Sequence, residues 1–314
     1  MAIERKVVLV TRRTRLEELL RRHHTLAQAR FYVEHLGADF GDYEREHGAY
    51  ARSLELATAA LQIHGRWQIV ERSLLPSFQF GATDLVVALG QDGLVANTLK
   101  YLDGQPLIGL NPEPTRWDGP LLPFEASELG RVLPEALADR RPLRAVTMAE
   151  ARLSDGQVLR AVNDLFIGQR GHGSALYEIA IGDQAERRET QSSSGVIVAT
   201  GLGSTAWMRS VVTGSLGIAG ALRPGAAAPG ADYRPEPWDS ARLTFAVREP
   251  FQSRASQTGL VFGHIDRAVP LRLRSRMPES GVIFSDGMEA DFLRFTAGME
   301  ARIGIAERQG MLVA

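Results

Sequence analysis

Apolar and polar positions along the chain change their rhythm near residue 123. Before it, short unbroken apolar runs alternate with segments of helical spacing. "KVVLVT" (Lys6 to Thr11), "WQIVERSL", "DLVVALG" and "PLIGLN" (Pro106 to Asn111) are continuous runs bounded by charge or turn residues. That pattern suits strands buried on both faces. Between them, Arg15 to Leu36 carries Leu16, Leu19, Leu20, Leu26 and Phe31 near helical spacing. A second helix is predicted over about Tyr50 to Ile63, and a third over Gly93 to Leu102, with Asn97 and Thr98 on its solvent side. Strands alternating with helices predict a parallel sheet with crossover helices.

Beyond about Pro123 a short helix, roughly Glu125 to Ala138, closes the helical part. From Leu143 on, short strands dominate, many of them alternating apolar and polar residues: "RAVTMAEARL", "QVLRAVNDLFI", "ALYEIAIG", "SGVIVAT", "ARLTFAVRE", "AVPLRLRS", "GVIFSDG" and "ARIGIAE". Alternation of this kind marks half-buried antiparallel strands. The expected fold is therefore a Rossmann-like α/β domain over residues 1–125 and a mainly antiparallel β domain over 126–314. The second half of the Gly/Ala-rich stretch Thr213 to Asp232 reads as a mobile loop.

Composition narrows the chemistry. The chain has 314 residues, enough for two domains. Its 36 basic and 37 acidic residues nearly cancel, which argues against a nucleic-acid or anionic-membrane partner. There is no cysteine, so disulfides, thiolate metal sites and a cysteine nucleophile are excluded. No apolar run approaches the ~18 residues of a membrane span, and the expected location is the cytoplasm. The seven histidines show no zinc-site spacing, and no residue is assigned to a metal. Neither a Gly-x-Ser-x-Gly elbow nor a Walker loop is present.

Four places can carry chemistry. Gly90-Gln91-Asp92-Gly93 ends an apolar strand and opens a helix. A glycine there admits an anion to the backbone, and the helix N-terminus offers free N–H groups. An acid in such a loop suits deprotonation of an attacking hydroxyl, or holding a cation; the plain alternative is a helix cap. Asn163-Asp164 interrupts an apolar strand pattern, so one of the pair faces inward or into a cleft, unless it marks a bulge or turn. Ser192 to Ser210, "SSSGVIVATGLGSTAWMRS", runs a strand into a loop of glycines, hydroxyls and Trp207. Such a loop can present donors and an aromatic plate to a nucleotide, or be a flexible connection. Asp286-Gly287 reads as a hairpin turn.

Taken in order, strand–Gly-x-Asp-Gly–helix, Asn-acid on a strand, and strand–Thr-Gly-x-Gly-Ser-Thr-Ala-Trp–helix resemble the NAD kinase family. "VNDLFIG", "YEIAIGD", "SSSGVIV", "TGLGSTAW" and "FAVREP" resemble its mitochondrial-type branch, which also occurs in bacteria. The likeness runs from about Lys6 to Val313. It implies transfer of a phosphoryl group from ATP, with Mg²⁺ bridging phosphates, to the 2′-hydroxyl of the adenosine ribose of NAD. It assigns Asp92 to that hydroxyl, and Gly90, Gln91 and Gly93 to the phosphate cradle. Asn163, Asp164, Ser194, Thr200, Ser204, Thr205 and Trp207 take the NAD-binding positions. The nucleotide is expected between the two domains, and the family's dimers or larger homo-oligomers form through the β domain. Gln91 stands where the family has a glycine, Leu94 where it has threonine, Ser194 where much of it has aspartate, and Asp164 where it has glutamate. A kinase of the same architecture for a sugar, lipid or nucleoside, and a non-catalytic NAD-binding regulatory protein, are the alternative readings.

Overall fold

The computed structural model describes residues 5–182, 187–222 and 233–314. The expected loop over the second half of Thr213 to Asp232 lies outside them. The chain divides into two compact units, 1–144 with 311–314, and 145–310.

The first unit is an α/β layer structure. Its sheet runs Trp67–Glu71, Val7–Thr11, Leu85–Leu89, Pro106–Asn111, Gly310–Val313, Leu143–Val146, with Phe124–Glu125 paired to Pro106–Asn111. The neighbours from Trp67–Glu71 to Gly310–Val313 pair in parallel. Val7–Thr11 and Leu85–Leu89 are buried at every position, which is why they read as unbroken apolar runs. The strand Gly310–Val313 has no predicted counterpart: it is a short run at the chain end that becomes a strand by lying beside Leu107.

Two predicted helices differ in extent. The pattern over Arg15 to Leu36 is two helices, Arg15–His23 and Leu26–His35. His24 adopts a left-handed conformation (φ 62°), and Thr25 then caps the second helix by accepting from the Gln28 N–H. The helix predicted from Tyr50 begins at Phe40 and runs to His64, capped by Asp39. Its first turns hold Gly41, Gly48 and many charges, so they show little periodicity. Tyr50, Ala57 and Leu61 from this helix, and Leu129, Val132, Leu133 and Ala136 from the helix Leu129–Leu137, share one core with the parallel strands. That packing keeps the later helix in the first unit, so the division lies at Arg144/Ala145 and not at 125/126.

The second unit is a sandwich of two six-stranded antiparallel sheets. One runs Arg187–Ser193, Ala175–Ile181, Leu271–Ser275, Glu300–Ile305, Ala149–Leu153, Val158–Ala161. The other runs Phe262–Ile265, Leu243–Val247, Val196–Ala199, Asp164–Gln169, Gly281–Ser285, Met288–Arg294. Alternate side chains of both sheets, among them Tyr177, Ile179, Ile303, Ile167, Val198 and Phe245, form the common core. "QVLRAVNDLFI" is two strands, Val158–Ala161 and Asp164–Gln169, and the chain crosses from one sheet to the other at Val162-Asn163. The helix Trp207–Leu222 lies outside the second sheet, where Met208 packs with Ile197, Ala199 and Ala246.

Candidate active site

Gly90 to Gly93 sits at the carboxyl end of the strand Leu85–Leu89, where ligands of open α/β sheets gather. Two neighbours hold this end in place. Tyr50 is buried, and its hydroxyl accepts from the Arg12 N–H at 2.9 Å and donates to the Leu89 carbonyl at 3.2 Å. Burial pushes that phenol up to about 12, so it stays a neutral bridge. Glu46, also buried, accepts from Arg12 and Arg15. Burial alone would raise its carboxyl, but the bonds from Arg15 and Arg12 outweigh that and hold it below its usual range.

Gln91, not Asp92, occupies the N-cap position of the helix Asp92–Leu99, and its side chain makes no capping bond. Asp92 is the first helical residue, and its Oδ1 accepts from the Leu121 N–H at 2.8 Å. Burial raises its pKa above the usual aspartate value, against the opposing pull of that hydrogen bond. A carboxylate so tuned is a better proton acceptor than a solvated one. Leu121 reaches Asp92 because Gly109 lets it: a Cβ at Gly109 would lie 2.1 Å from the Leu121 carbonyl oxygen. Asn111 ties the same loop by donating to the Trp117 carbonyl. Around Gly93 a Cβ would meet nothing within 4 Å, so this backbone is open to a ligand. Leu94 fills the space beside Gly90. Asn97 and Thr98 are buried, contrary to their expected solvent side, because this helix is enclosed all round from Leu94 to Lys100.

The second unit gathers the other candidates. Asp286 and Gly287 both have positive φ (53° and 68°) and form the two-residue turn between Ser285 and Met288. The turn does more than reverse the chain. The Asp286 carboxylate accepts from the N–H groups of Val162, Asn163 and Asp164, at 3.0, 2.6 and 3.3 Å. It thereby shapes the crossing where Asn163 and Asp164 sit. Asp164 is 6% exposed. Burial, reinforced by the neighbouring Asp286, pushes its carboxyl up to about 7.

The loop after Val196–Ala199 is built on close backbone approaches. A Cβ at Gly203 would lie 2.0 Å from the Asn163 carbonyl oxygen, and one at Gly201 would lie 1.7 Å from that of Pro237. Thr200 donates to the Val162 carbonyl at 2.5 Å, and Ser204 donates to that of Gly201 at 2.6 Å. Both hydroxyls are buried and engaged within the fold. Thr205 is exposed, with its hydroxyl on the Leu202 carbonyl.

Trp207 ends a row of rings on the outer face of the second sheet. It stacks on Phe166 (centroids 5.8 Å, 19°), and Phe166 stacks on Phe284 (6.1 Å, 16°). Arg248 covers the Trp207 ring at 5.4 Å. The Phe166 ring lies flat across its neighbours because Gly168 and Gly195 leave it room; a Cβ at either would come within 2.6 Å of it. The glycine after Ser194 is required on two counts, since Gly195 also has a positive φ of 106°. The rings wall a cavity of about 400 Å³ that is also lined by Asp164, Ser194, Arg170, His172, Arg248, Glu249 and Glu289. An aromatic wall edged by cations and carboxylates suits a flat heterocycle carrying polar substituents.

So the structure brings Asp164, Ser194 and Trp207 to one cavity, with Asn163, Thr200, Ser204 and Thr205 in the crossing and loop beside it. Gly90, Gln91, Asp92 and Gly93 belong to the other unit. Sequence reasoning missed Leu121, Gly109, Phe166, Phe284 and Arg170, and it saw Asp286 only as a turn. Phe166 and Phe284 leave one trace, an aromatic at an outward position of an alternating strand.

Comparison with known proteins bears on what this arrangement is. The chain is 32% identical to an NAD kinase of Acidithiobacillus ferrooxidans over 134 residues, 41% of this chain and 44% of that protein. It is 28% identical to an NAD kinase of Haloarcula marismortui over 160 residues, 49% and 55% of the two. In sequence, the chain is similar to NAD kinases over somewhat less than half of its length. The matches span about half the length of these curated relatives. No family model matches. In fold, the likeness extends over the whole chain. A yeast NADH kinase in complex with NADH superposes with a TM-score of 0.60 at 15% identity, covering 100% of this chain and 84% of that one. An NAD kinase of Archaeoglobus fulgidus in complex with ATP gives 0.53 at 15% identity, over 98% and 93%. At such identity the superpositions show the NAD kinase fold, an α/β unit with a parallel sheet followed by an antiparallel β unit.

Proposed function

We propose that the chain is an ATP-dependent kinase that phosphorylates the 2′-hydroxyl of the adenosine ribose of NAD or NADH. The observation that carries this reading is Asp92. It is a single carboxylate between two glycines at the end of a buried parallel strand, fixed by the Leu121 N–H and raised by burial. In the proposed reaction Asp92 takes the proton of the 2′-hydroxyl as that oxygen bonds to the γ-phosphorus, and the bond to the ADP oxygen breaks. The backbone of Gly90, Gln91 and Gly93 cradles the donor phosphates. The cavity of Trp207, Phe166, Phe284, Asp164 and Ser194 holds part of the dinucleotide, with Asn163 and Thr205 beside it. Thr200 and Ser204 act through the loop they lock. Catalysis by such an arrangement is mainly positioning and charge neutralisation.

Mg²⁺ fits this scheme as a companion of ATP. Among the described residues no group of three or more histidines and acids can hold a metal ion. The phosphates would supply most of its ligands and Asp92 is the nearby carboxylate of the loop; the ion would neutralise phosphate charge.

The test is a coupled assay with ATP, Mg²⁺ and either NAD or NADH, reading the 2′-phosphorylated product with an NADP-specific dehydrogenase. Turnover is expected, and Asp92→Asn should lower kcat about 10²–10⁴-fold with the melting temperature nearly unchanged. A fully active Asp92→Asn enzyme would refute the role of Asp92. Gln91 and Ser194 favour one second reading, a changed acceptor. Under it, sugars, lipids or nucleosides would be phosphorylated where NAD and NADH are not.

A further inference from the structure

One buried acid of the ring-walled cavity lacks any partner for a charge. Asp164 is 6% exposed and lines that cavity. Among the described residues its carboxyl accepts no hydrogen bond and joins no ion pair; the one charge that bears on it is Asp286. Asp286 is the opposite case. Its carboxylate accepts from three successive N–H groups, those of Val162, Asn163 and Asp164 itself. The Asp286 N–H in turn donates to the Asp164 carbonyl at 3.0 Å, so the two residues are locked side by side.

Two carboxyls held together resist ionising together. The donors decide which of them carries the charge. Three N–H groups stabilise an anion at Asp286, and none stabilises one at Asp164. The proton of the pair therefore rests on Asp164. The rest of the cavity does not reverse this. Arg248 lies over the Trp207 ring at 5.4 Å and Arg170 over the Phe292 ring at 5.2 Å, and neither pairs with Asp164. His172 is the remaining basic group of the lining, and Glu249 and Glu289 add two acids to it. The rise of the Asp164 carboxyl to about 7 agrees with this geometry.

Resting on the reading that the dinucleotide occupies this cavity, we propose that Asp164 meets it as the neutral acid and donates its O–H to an acceptor on the edge of the heterocycle held by the rings. The acceptor is a carbonyl oxygen or an unprotonated ring nitrogen. A carboxylate can only accept, from a hydroxyl or an amide; the neutral acid adds a donor in its place. A carboxylic acid kept neutral by its site can serve as a donor at neutral pH. Where free Asp164 is partly ionised, the complex binds more protons than the free protein. Binding then takes up a proton and weakens as pH rises.

The test is calorimetric titration of the whole protein with NAD at pH 6, 7 and 8.5, each in two buffers of different ionisation heat, which counts the protons exchanged. Asp164→Asn is titrated beside the wild type, with melting curves to check its fold; asparagine keeps a donor and cannot titrate. In the wild type, uptake should approach about one proton at pH 8.5 and fall close to none at pH 6, with affinity roughly thirtyfold weaker at the higher pH. In Asp164→Asn the uptake should vanish and the affinity should be flat with pH. Titration with ADP-ribose, which lacks the nicotinamide, names the acceptor. Uptake that persists puts it on adenine, and uptake lost puts it on the carboxamide carbonyl. Proton release by the wild type, or no exchange, overturns the inference and leaves the kinase reading in place, because Asp164 then meets the ligand as a carboxylate. That sign is read without any variant. Uptake that survives in Asp164→Asn also overturns it, and moves the titration to another group such as His172 or Asp92. NAD that binds the wild type at none of the three pH values overturns the kinase reading itself, and this inference with it.

Discussion

Replacing Asp164 by asparagine should make the protein more stable at neutral and basic pH. Asp164 is almost fully buried, and its carboxyl is pushed from 3.8 up to about 7 by that burial and by Asp286. Between pH 4 and 7 the unfolded chain has released this proton while the folded chain still holds it. The folded state then binds more protons, so stability falls as pH rises through that window. Above about pH 7 the folded chain bears the whole cost of the buried anion. At ~1.4 kcal/mol per pH unit the ceiling is about 4 kcal/mol. Relaxation of the surroundings reduces it to about 2 kcal/mol. Asparagine keeps the shape and cannot ionise, so it avoids this cost. Urea midpoints of wild type and Asp164→Asn, followed by tryptophan fluorescence, should coincide near pH 4 and separate progressively up to pH 8, the variant being the more stable. A difference independent of pH, or a variant less stable at pH 8, would refute the account of Asp164 as a destabilising buried acid. If the same variant also binds NAD more weakly, the cost in stability has a functional counterpart.

Two glycine substitutions should separate packing from ligand access. Gly203→Ala drives a methyl into the Asn163 carbonyl and should lower stability by about 2–3 kcal/mol in the same urea assay. Gly93→Ala meets open space on a helix, and should leave stability unchanged or raise it by roughly 0.5–1 kcal/mol. In the kinase assay Gly93→Ala should raise the KM for ATP if the donor phosphates approach there as proposed. Trp207→Ala removes one end of the ring wall and should raise the KM for the dinucleotide about tenfold, while Trp207→Phe retains most of the affinity. Unchanged KM values in Trp207→Ala would remove the cavity from the substrate site.

Much of the outline was legible in local pattern. A parallel strand buried on both faces is apolar at nearly every position, as Leu85–Leu89 is, whereas a sandwich strand with one face outward alternates, as Ala149–Leu153 and Leu271–Ser275 do; only strands covered on their outer face as well, such as Val196–Ala199 beneath the helix Trp207–Leu222, break that contrast. Gly90-Gln91-Asp92-Gly93 was visible because strand, loop and helix follow one another within a few residues. Helix ends were harder to place. Nothing in the spacing of Leu20 and Leu26 marks His24 as left-handed, and two glycines with many charges masked the start of the helix at Phe40.

What the sequence by itself determined is therefore the local backbone: strand type, the order of elements, and a bare loop with an acid in it. Tertiary structure decided which distant residues meet. Leu121 reaches Asp92 across 29 positions, because Gly109 admits its loop. Asp286 reaches Asn163 across 123, because a hairpin turn ends beside a crossing between sheets. Arg188, Arg272, Arg302 and Arg152 fall into one row across their sheet only in the register of their strands. Side-chain periodicity within a strand is a property of one segment. Register belongs to pairs of segments, and it is selected by the whole core that both must fill.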